Sequence, residues 1–470
     1  MNNKNFIFVI CLSIWVIITL LRVVFHQPWH DEANAWELAR NFHFGYVLES
    51  LKYEGHFFVW YVLLLPFAKL NLFYPYSMLL INWVFCFGAV YLLWKFFPFS
   101  NTVKFLITFS FPFFACYPII ARCYSVGIFL LFVLTAMYKD RLRHPIIYSI
   151  LIFLCANTSL MALIGAFLFG CFLIFDLIKE KHFGDLKICL GFAVLSVFTF
   201  IIQVAKVDLS NIPASKLVGY GLNDILNTFA LFNPVFNAIL LLVFIFGFGL
   251  ILFKQKRVFG FLFTIYLFLL YFFNFWYSGD FWHHYFFFIY LICACWIFTD
   301  SYNEDFKIKK LLTIMLCMLS FVLIFDFRYE TVFFNSKSKV IADYIKEHKN
   351  VHHIFINRVF LMSLPYLHDD EYDITLIQSE NNNYDINFDF EEIKKAMIFD
   401  KKNYNKLKTN YTNKYLTANT ENYLYVNTCS PIPDLVKGKE ILKFELKANI
   451  NNIYCIYKIR ITDDKNHDII

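Results

Sequence analysis

The residues best equipped for chemistry stand close together near the start of the chain. The run Pro28-Trp29-His30-Asp31-Glu32-Ala33-Asn34-Ala35-Trp36-Glu37-Leu38-Ala39-Arg40 is followed shortly by Glu54-Gly55-His56. Carboxylates and imidazoles beside a long apolar segment are costly unless water or a ligand receives them. A carboxylate in that setting suits proton abstraction from a hydroxyl, work typically worth about 10²–10⁴-fold in rate. The competing reading is structural: Asp31 and Glu32 open a surface helix running to about Phe42, where acids satisfy free amides and the helix dipole. The two readings are compatible.

The elements that must carry these residues are membrane helices. Of 470 residues, 59% are hydrophobic, 61 are Phe and only 17% are charged, which excludes an ordinary soluble globule. Apolar runs long enough to cross a bilayer recur up to about Phe325 and then stop. They are expected at 6–25, 76–94, 104–120, 123–138, 145–158, 160–178, 187–205, 235–253, 258–276, 284–299 and 310–327. The first is read as an anchor and not a cleaved signal, because bulky Val23-Val24-Phe25-His26 follows it in place of a small-residue cleavage site. The net charge of +6 calls for no nucleic-acid partner. Lys95 and Lys104, then Lys139, Arg141 and Arg143, then Lys179, Lys181 and Lys187, then Lys254, Lys256 and Arg257, then Lys307, Lys309 and Lys310 fill every second connection. The positive-inside rule puts those connections and the N-terminus in the cytoplasm of an inner (plasma) membrane. The apolar piece from Phe57 to Ala68, interrupted by Pro66, reaches only about 18 Å as a helix, so it is read as lying along or dipping into the outer face.

Four regions then face away from the cytoplasm: 26–75, Ala121-Arg122-Cys123-Tyr124, the loop from Lys206 to Pro234, and Tyr277 to His284. Their polar residues are Asp31, Glu32, Glu54, His56, Arg122, Tyr124, Lys206, Asp208, Lys216, Asp280, His283 and His284, a sufficient inventory for one outward-facing site. Arg122 and Tyr124, like His283 and His284, equally suit an interfacial anchor belt. Lys206 and Lys216 read as solvated loop charges. Ten of the twelve cysteines fall in or beside apolar segments and read as packing residues.

From about Arg328 onward the chain is polar. Ser336 to Lys349 reads as an amphipathic helix through Val340, Ile341, Tyr344 and Ile345. Val351–Ile356, Tyr423–Asn427, Ile441–Leu446 and Asn452–Ile461 read as strands. The expected architecture is a polytopic α-helical membrane domain over 1–327, with 26–75 as its first outer loop, and a small extracytoplasmic (periplasmic) α/β domain over 328–470. An oxidising compartment makes Cys429 and Cys455 a candidate disulfide.

One span, then His-Asp-Glu-x-x-x-Trp-x-x-Ala-Arg, then Glu-Gly-His before an aromatic run resembles the GT-C superfamily of polyprenyl-phosphate-sugar-dependent glycosyltransferases. The likeness is to the branch holding protein O-mannosyltransferases and the lipid A aminoarabinose transferase. It rests on motifs over about 6–140 and on topology alone over 141–327. The resemblance implies a carboxylate of the first outer loop as catalytic base, which falls on Asp31 with Glu32 beside it. It also implies an undecaprenyl-type lipid-phosphate sugar donor, a glycan, lipid or protein acceptor, and inversion at the anomeric carbon. Arg122 and Tyr124 fall near the donor phosphate, where an Arg fork suits developing charge, while Glu54, His56, His283 and His284 fall among the substrate contacts. Some members use a metal, and Glu54, His56 and His283 or His284 have suitable donor chemistry for a divalent cation. Gly55-His56-Phe57 stands where the aminoarabinose branch has a lysine and prolines, which argues against that sugar. The alternatives are an O-antigen ligase or polymerase, and a non-enzymatic lipid or glycan transporter. The late functional loop of the former and the charged mid-membrane positions of the latter are not evident.

Overall fold

In hydrocarbon every backbone N–H and C=O must be satisfied within the chain, which for uncharged runs of about 20 residues dictates helix. The computed structural model describes residues 3–40, 56–204, 247–249, 251, 253–277, 279–301, 306–324, 338–347, 353–357, 365–367, 373–377, 423–428, 435–437, 440–450 and 454–463. The chain divides into two units, Met1–His26 with Phe42–Phe333, and Gln27–Asn41 with Phe334–Ile470.

The first unit is helical. Its described helices are α1 (Asn3–Phe25), α3 (Phe58–Lys69), α4 (Tyr76–Phe96), α5 (Asn101–Phe109), α6 (Cys123–Met137), α7 (Pro145–Ala156), α8 (Leu160–Lys179), α9 (Phe183–Val204), α10 (Lys256–Phe275), α11 (Phe281–His284), α12 (Phe286–Ser301) and α13 (Phe306–Ile324). Among the described residues seven helices are long and apolar enough to cross a membrane, so the chain is a multi-pass membrane protein. The expected span 235–253 lies almost wholly outside the described residues. α3 and α7 are apolar but only 12 residues each.

Burial sorts these helices. α12 is apolar all round and is buried from Phe286 to Thr299, the signature of a central helix. α9 is equally apolar, yet Val194, Val197, Phe198 and Ile201 are exposed, the signature of a helix whose solvent is lipid. α8 and α12 approach closely at Gly165, where a Cβ would come within 2.5 Å of the Tyr290 ring. The Tyr290 hydroxyl donates to the carbonyl of Met161 at 2.5 Å and accepts from the N–H of Gly165 at 3.2 Å. It thus inserts into one rung of the α8 ladder.

The expected span 104–120 is not one helix. α5 stops at Phe109 and a π-type turn, Pro112–Cys116, follows, because Pro112 has no N–H to continue the ladder. Side chains of neighbouring helices take up the carbonyls around the break. Trp15 Nε1 donates to Phe113 O at 2.9 Å, Arg22 Nη1 to Phe114 O at 3.1 Å, and Asn82 Nδ2 to Tyr117 O at 2.8 Å. Irregular backbone in a membrane bundle persists only with such partners.

The second unit joins α2 (His30–Arg40) and α14 (Ser338–Glu347) to strands β1 (His353–Asn357), β2 (Asp373–Ile377), β3 (Tyr423–Thr428), β4 (Leu435–Lys437), β5 (Glu440–Ile450) and β6 (Tyr454–Asp463). They form one mixed sheet in the order β2-β1-β3-β6-β5-β4. β1 runs parallel to β2 and β3, with His353 opposite both Asp373 and Tyr423. The remaining pairs are antiparallel, and the β5–β6 ladder shifts register between Leu446 and Ala448. In α14, Ile341, Ala342 and Ile345 are buried, whereas Val340, expected on the apolar face, is exposed. α2 also differs from expectation: it is no surface helix, being buried continuously from Glu32 to Ala39, and it groups with the C-terminal residues instead of with the loop 42–75.

Candidate functional site

Within α2 the two adjacent acids have different surroundings. Glu32 is fully buried, and its Oε2 accepts the backbone N–H of Trp29 at 3.0 Å, tying down the turn before the helix. Asp31 keeps 41% of its side chain exposed, with Oδ1 3.2 Å from Nδ1 of His30. One turn on, Glu37 pairs with Arg40 at 3.1 Å, and Arg40 also donates to the carbonyl of Leu367 at 3.5 Å. Glu32 therefore does the work of a cap, while Asp31 has the exposure a base requires.

In the first unit a second polar group gathers at one end of the helices. His56 precedes α3 and is held by backbone: it bridges Ser159, and Phe57 N–H and Val59 N–H donate to the carbonyls of Thr158 and Asn157, each at 3.2 Å. Gln203 of α9 clamps the same place, accepting from Phe58 N–H at 3.0 Å and donating to Asn157 Oδ1 at 3.1 Å. This fixes His56 against the start of α6.

There Cys123 Sγ lies 3.2 Å from His56 Nδ1, Tyr124 Oη lies 3.4 Å from His56 Nε2, and the same Oη lies 2.7 Å from His283 Nε2. The direction of the His283–Tyr124 bond follows from its far end. Asp280 N–H donates to His283 Nδ1 at 2.9 Å, so the proton of a neutral His283 sits on Nε2 and is donated to Tyr124. The Tyr124 hydroxyl also bonds His56 Nε2, and His56 Nδ1 bonds the Cys123 sulfur. All four side chains are buried, and both imidazoles meet the Tyr124 ring edge-on, with centroids 5.3 and 5.2 Å away.

Arg122, buried at the N-cap of α6, adjoins the relay in sequence. His284 turns elsewhere: its ring meets Phe273 edge-on at 4.9 Å, and Nε2 is 3.2 Å from where a Cβ of residue 279 would stand. Gly279 is required there twice over, since its φ is +75°. Glu54, Lys206, Asp208, Lys216 and Cys429 lie outside the described residues, as does the side chain of Cys455, so neither the Glu54 contact nor the Cys429–Cys455 pair enters the site's geometry.

Of the expected cation set, Glu54 lies outside the described residues, and His283 has Nδ1 engaged by a backbone donor and Nε2 by Tyr124. Among the described residues no three His, Cys, Asp or Glu side chains gather as a ligand set.

Cys123 is the member that sequence reasoning counted as packing. Its signal was position, directly between Arg122 and Tyr124. A second network went unread: Ser125 donates to Asn82 Oδ1, Asn82 donates to Tyr117 O, and the Tyr117 hydroxyl donates to Trp282 O at 2.8 Å, joining α4, α6 and α11 behind the relay. Comparison with protein-family models, with curated proteins and with solved structures finds no match.

Proposed function

We propose that the protein is a membrane glycosyltransferase of GT-C type, with eleven crossings, a cytoplasmic N-terminus and the sheet-bearing C-terminal domain in the periplasm. It moves a sugar from a polyprenyl-phosphate donor to a hydroxyl of a cell-envelope glycan, lipid or protein. Asp31 is the general base: it removes the acceptor proton as the acceptor oxygen bonds to the anomeric carbon, and the bond from that carbon to the donor phosphate breaks on the opposite face, inverting the centre. Arg122 receives the charge developing on the leaving phosphate. The observation that carries this reading is the contrast inside α2, where Glu32 is buried and bonded while Asp31 is exposed beside an imidazole. The buried His56–Tyr124–His283 relay supports it, since polar side chains concentrated at one end of a lipid-facing bundle mark a place where a lipid-borne polar head meets protein.

The test compares wild type and Asp31→Asn, each in membranes, for transfer of radiolabelled sugar from a panel of polyprenyl-phosphate sugars to the cell's lipid and glycan extract. Wild type is expected to transfer from at least one donor, and a folded Asp31→Asn to lose about 10²–10⁴-fold. Equal transfer by both proteins would move the base elsewhere, and no transfer from any donor would favour the ligase and transporter alternatives.

A further inference from the structure

At the other end of the helices of the first unit lies a cavity of about 390 Å³, and four of its nine lining residues are cations: Lys139, Arg141, Lys256 and Arg257. No acid lines it. Tyr138 and the hydroxyl-bearing Ser301 complete its polar wall.

The two arginines are held in place. Asp176 of α8 takes Arg257 in a fork at 2.7 and 3.1 Å and accepts from Arg141 Nε at 3.1 Å. Arg141 also lies over the Tyr138 ring at 4.0 Å, and Arg257 over Phe175 at 4.9 Å. One carboxylate against two guanidinium groups leaves a positive balance, and both forks lose less freedom on meeting an anion because they are already fixed. Lys139 and Lys256 add two exposed ammonium groups; Asp300, half-buried next to Ser301, offsets Lys139 in part. The cavity further includes the first turn of α10, whose N-cap Gln255 makes no side-chain cap bond, so backbone amides and the positive end of a 20-residue helix face the same region. Cations with fixed forks, an uncapped helix start and a tyrosine at the edge of a membrane bundle together suit a phosphate group.

We infer that this cavity binds a phosphate group, carried by an anionic lipid headgroup or by a soluble phosphate ester, at a site separate from the His56–Tyr124–His283 relay. The inference stands on the membrane bundle and is independent of any transferase activity.

The experiment uses the full chain in phosphatidylcholine nanodiscs, with and without phosphatidylglycerol, and in phosphatidylcholine with added inorganic phosphate. Bound lipid is read by native mass spectrometry and stability by thermal unfolding. The variant is Lys139→Gln with Lys256→Gln, whose exposed side chains leave the Asp176 cluster intact; Lys139→Arg with Lys256→Arg is the control. Preferential retention of phosphatidylglycerol by wild type, reduced about thirtyfold in the Gln variant and kept in the Arg variant, is expected for a lipid headgroup. Stabilisation by inorganic phosphate without lipid preference, again lost only in the Gln variant, would support the same site with a soluble ester as its ligand. Equal retention of both lipids with no effect of phosphate, or identical behaviour of wild type and the Gln variant, would overturn it.

Discussion

At the scale of single residues, the division of labour between Asp31 and Glu32 makes opposite predictions for neighbouring positions. Glu32→Ala removes the acceptor of Trp29 N–H, so it is expected to cost about 0.5–2 kcal/mol of stability. Thermal unfolding in detergent would show this, while transfer by the folded fraction would fall far less than in Asp31→Asn. A variant Glu32→Ala that is fully stable yet inactive would make Glu32 the chemical group. Tyr124 gives a third residue-level test. Its hydroxyl carries one strong and one long bond to imidazoles, at 2.7 and 3.4 Å, and both are buried. Tyr124→Phe leaves His283 Nε2–H without its acceptor, a penalty of about 1–3 kcal/mol. In ¹⁵N spectra of the imidazoles the Nε2–H tautomer of His283 is expected to persist in the variant, because the Asp280 N–H that dictates it is untouched. Loss of that tautomer would mean that Tyr124, and not the backbone, sets the direction of the His283–Tyr124 bond.

At the scale of elements, the contact of α8 with α12 is the most sharply testable. Gly165→Ala would drive a methyl into the Tyr290 ring, an overpacking expected to cost about 1–3 kcal/mol, whereas Tyr290→Phe loses only the inserted hydroxyl and about 0.6–1.5 kcal/mol. The double variant should cost more than Tyr290→Phe and little more than Gly165→Ala, because the ring itself makes the clash; equilibrium unfolding of the four proteins measures it. Much of this level was legible beforehand. Hydropathy runs located α1, α4, α6, α8, α9, α10 and α12 within a few residues, and the pattern at 336–349 located α14. β1, β3 and β6 were legible from their β-branched and aromatic residues, and β5 in its first half, Ile441–Leu446, before the polar stretch Lys447-Ala448-Asn449. β2 was not, since five residues, Asp373–Ile377, between polar flanks acquire strand character only by parallel pairing with the distant β1. The break at Pro112 was missed for a related reason: average hydropathy does not register a missing N–H, and the groups that make the break tolerable, Trp15, Arg22 and Asn82, lie on other helices. The relay was half legible. His56, Tyr124 and His283 were candidates from composition and position, but their common meeting at one hydroxyl depends on the Ser159 and Gln203 clamp, which no local pattern announces.

At the scale of the whole molecule, the two ends of the helices of the first unit differ in chemistry. One end carries imidazoles, tyrosines and amides, and the other carries Lys139, Arg141, Lys256 and Arg257 around Asp176. The positive-inside rule converts that asymmetry into the proposed orientation, with the relay facing away from the cytoplasm and the basic cavity facing it. Single-cysteine labelling tests this directly. Leu72→Cys, in the exposed turn after α3, and Glu180→Cys, in the exposed turn after α8, lie in connections of opposite parity. Most of the native cysteines among the described residues are buried, which keeps the background of a polar reagent low. With a membrane-impermeant maleimide added to intact cells or spheroplasts, Leu72→Cys is expected to react at once and Glu180→Cys only after permeabilisation. The reverse result would place the imidazole relay in the cytoplasm, beside nucleotide-linked sugars, and would remove the reason for a lipid-borne donor. Reaction of both from outside would mean an even number of crossings between them, and the expected crossing by the short helix α7 or by the broken segment after α4 would have to change. The orientation therefore decides more than address: it determines which donors the proposed base could ever meet.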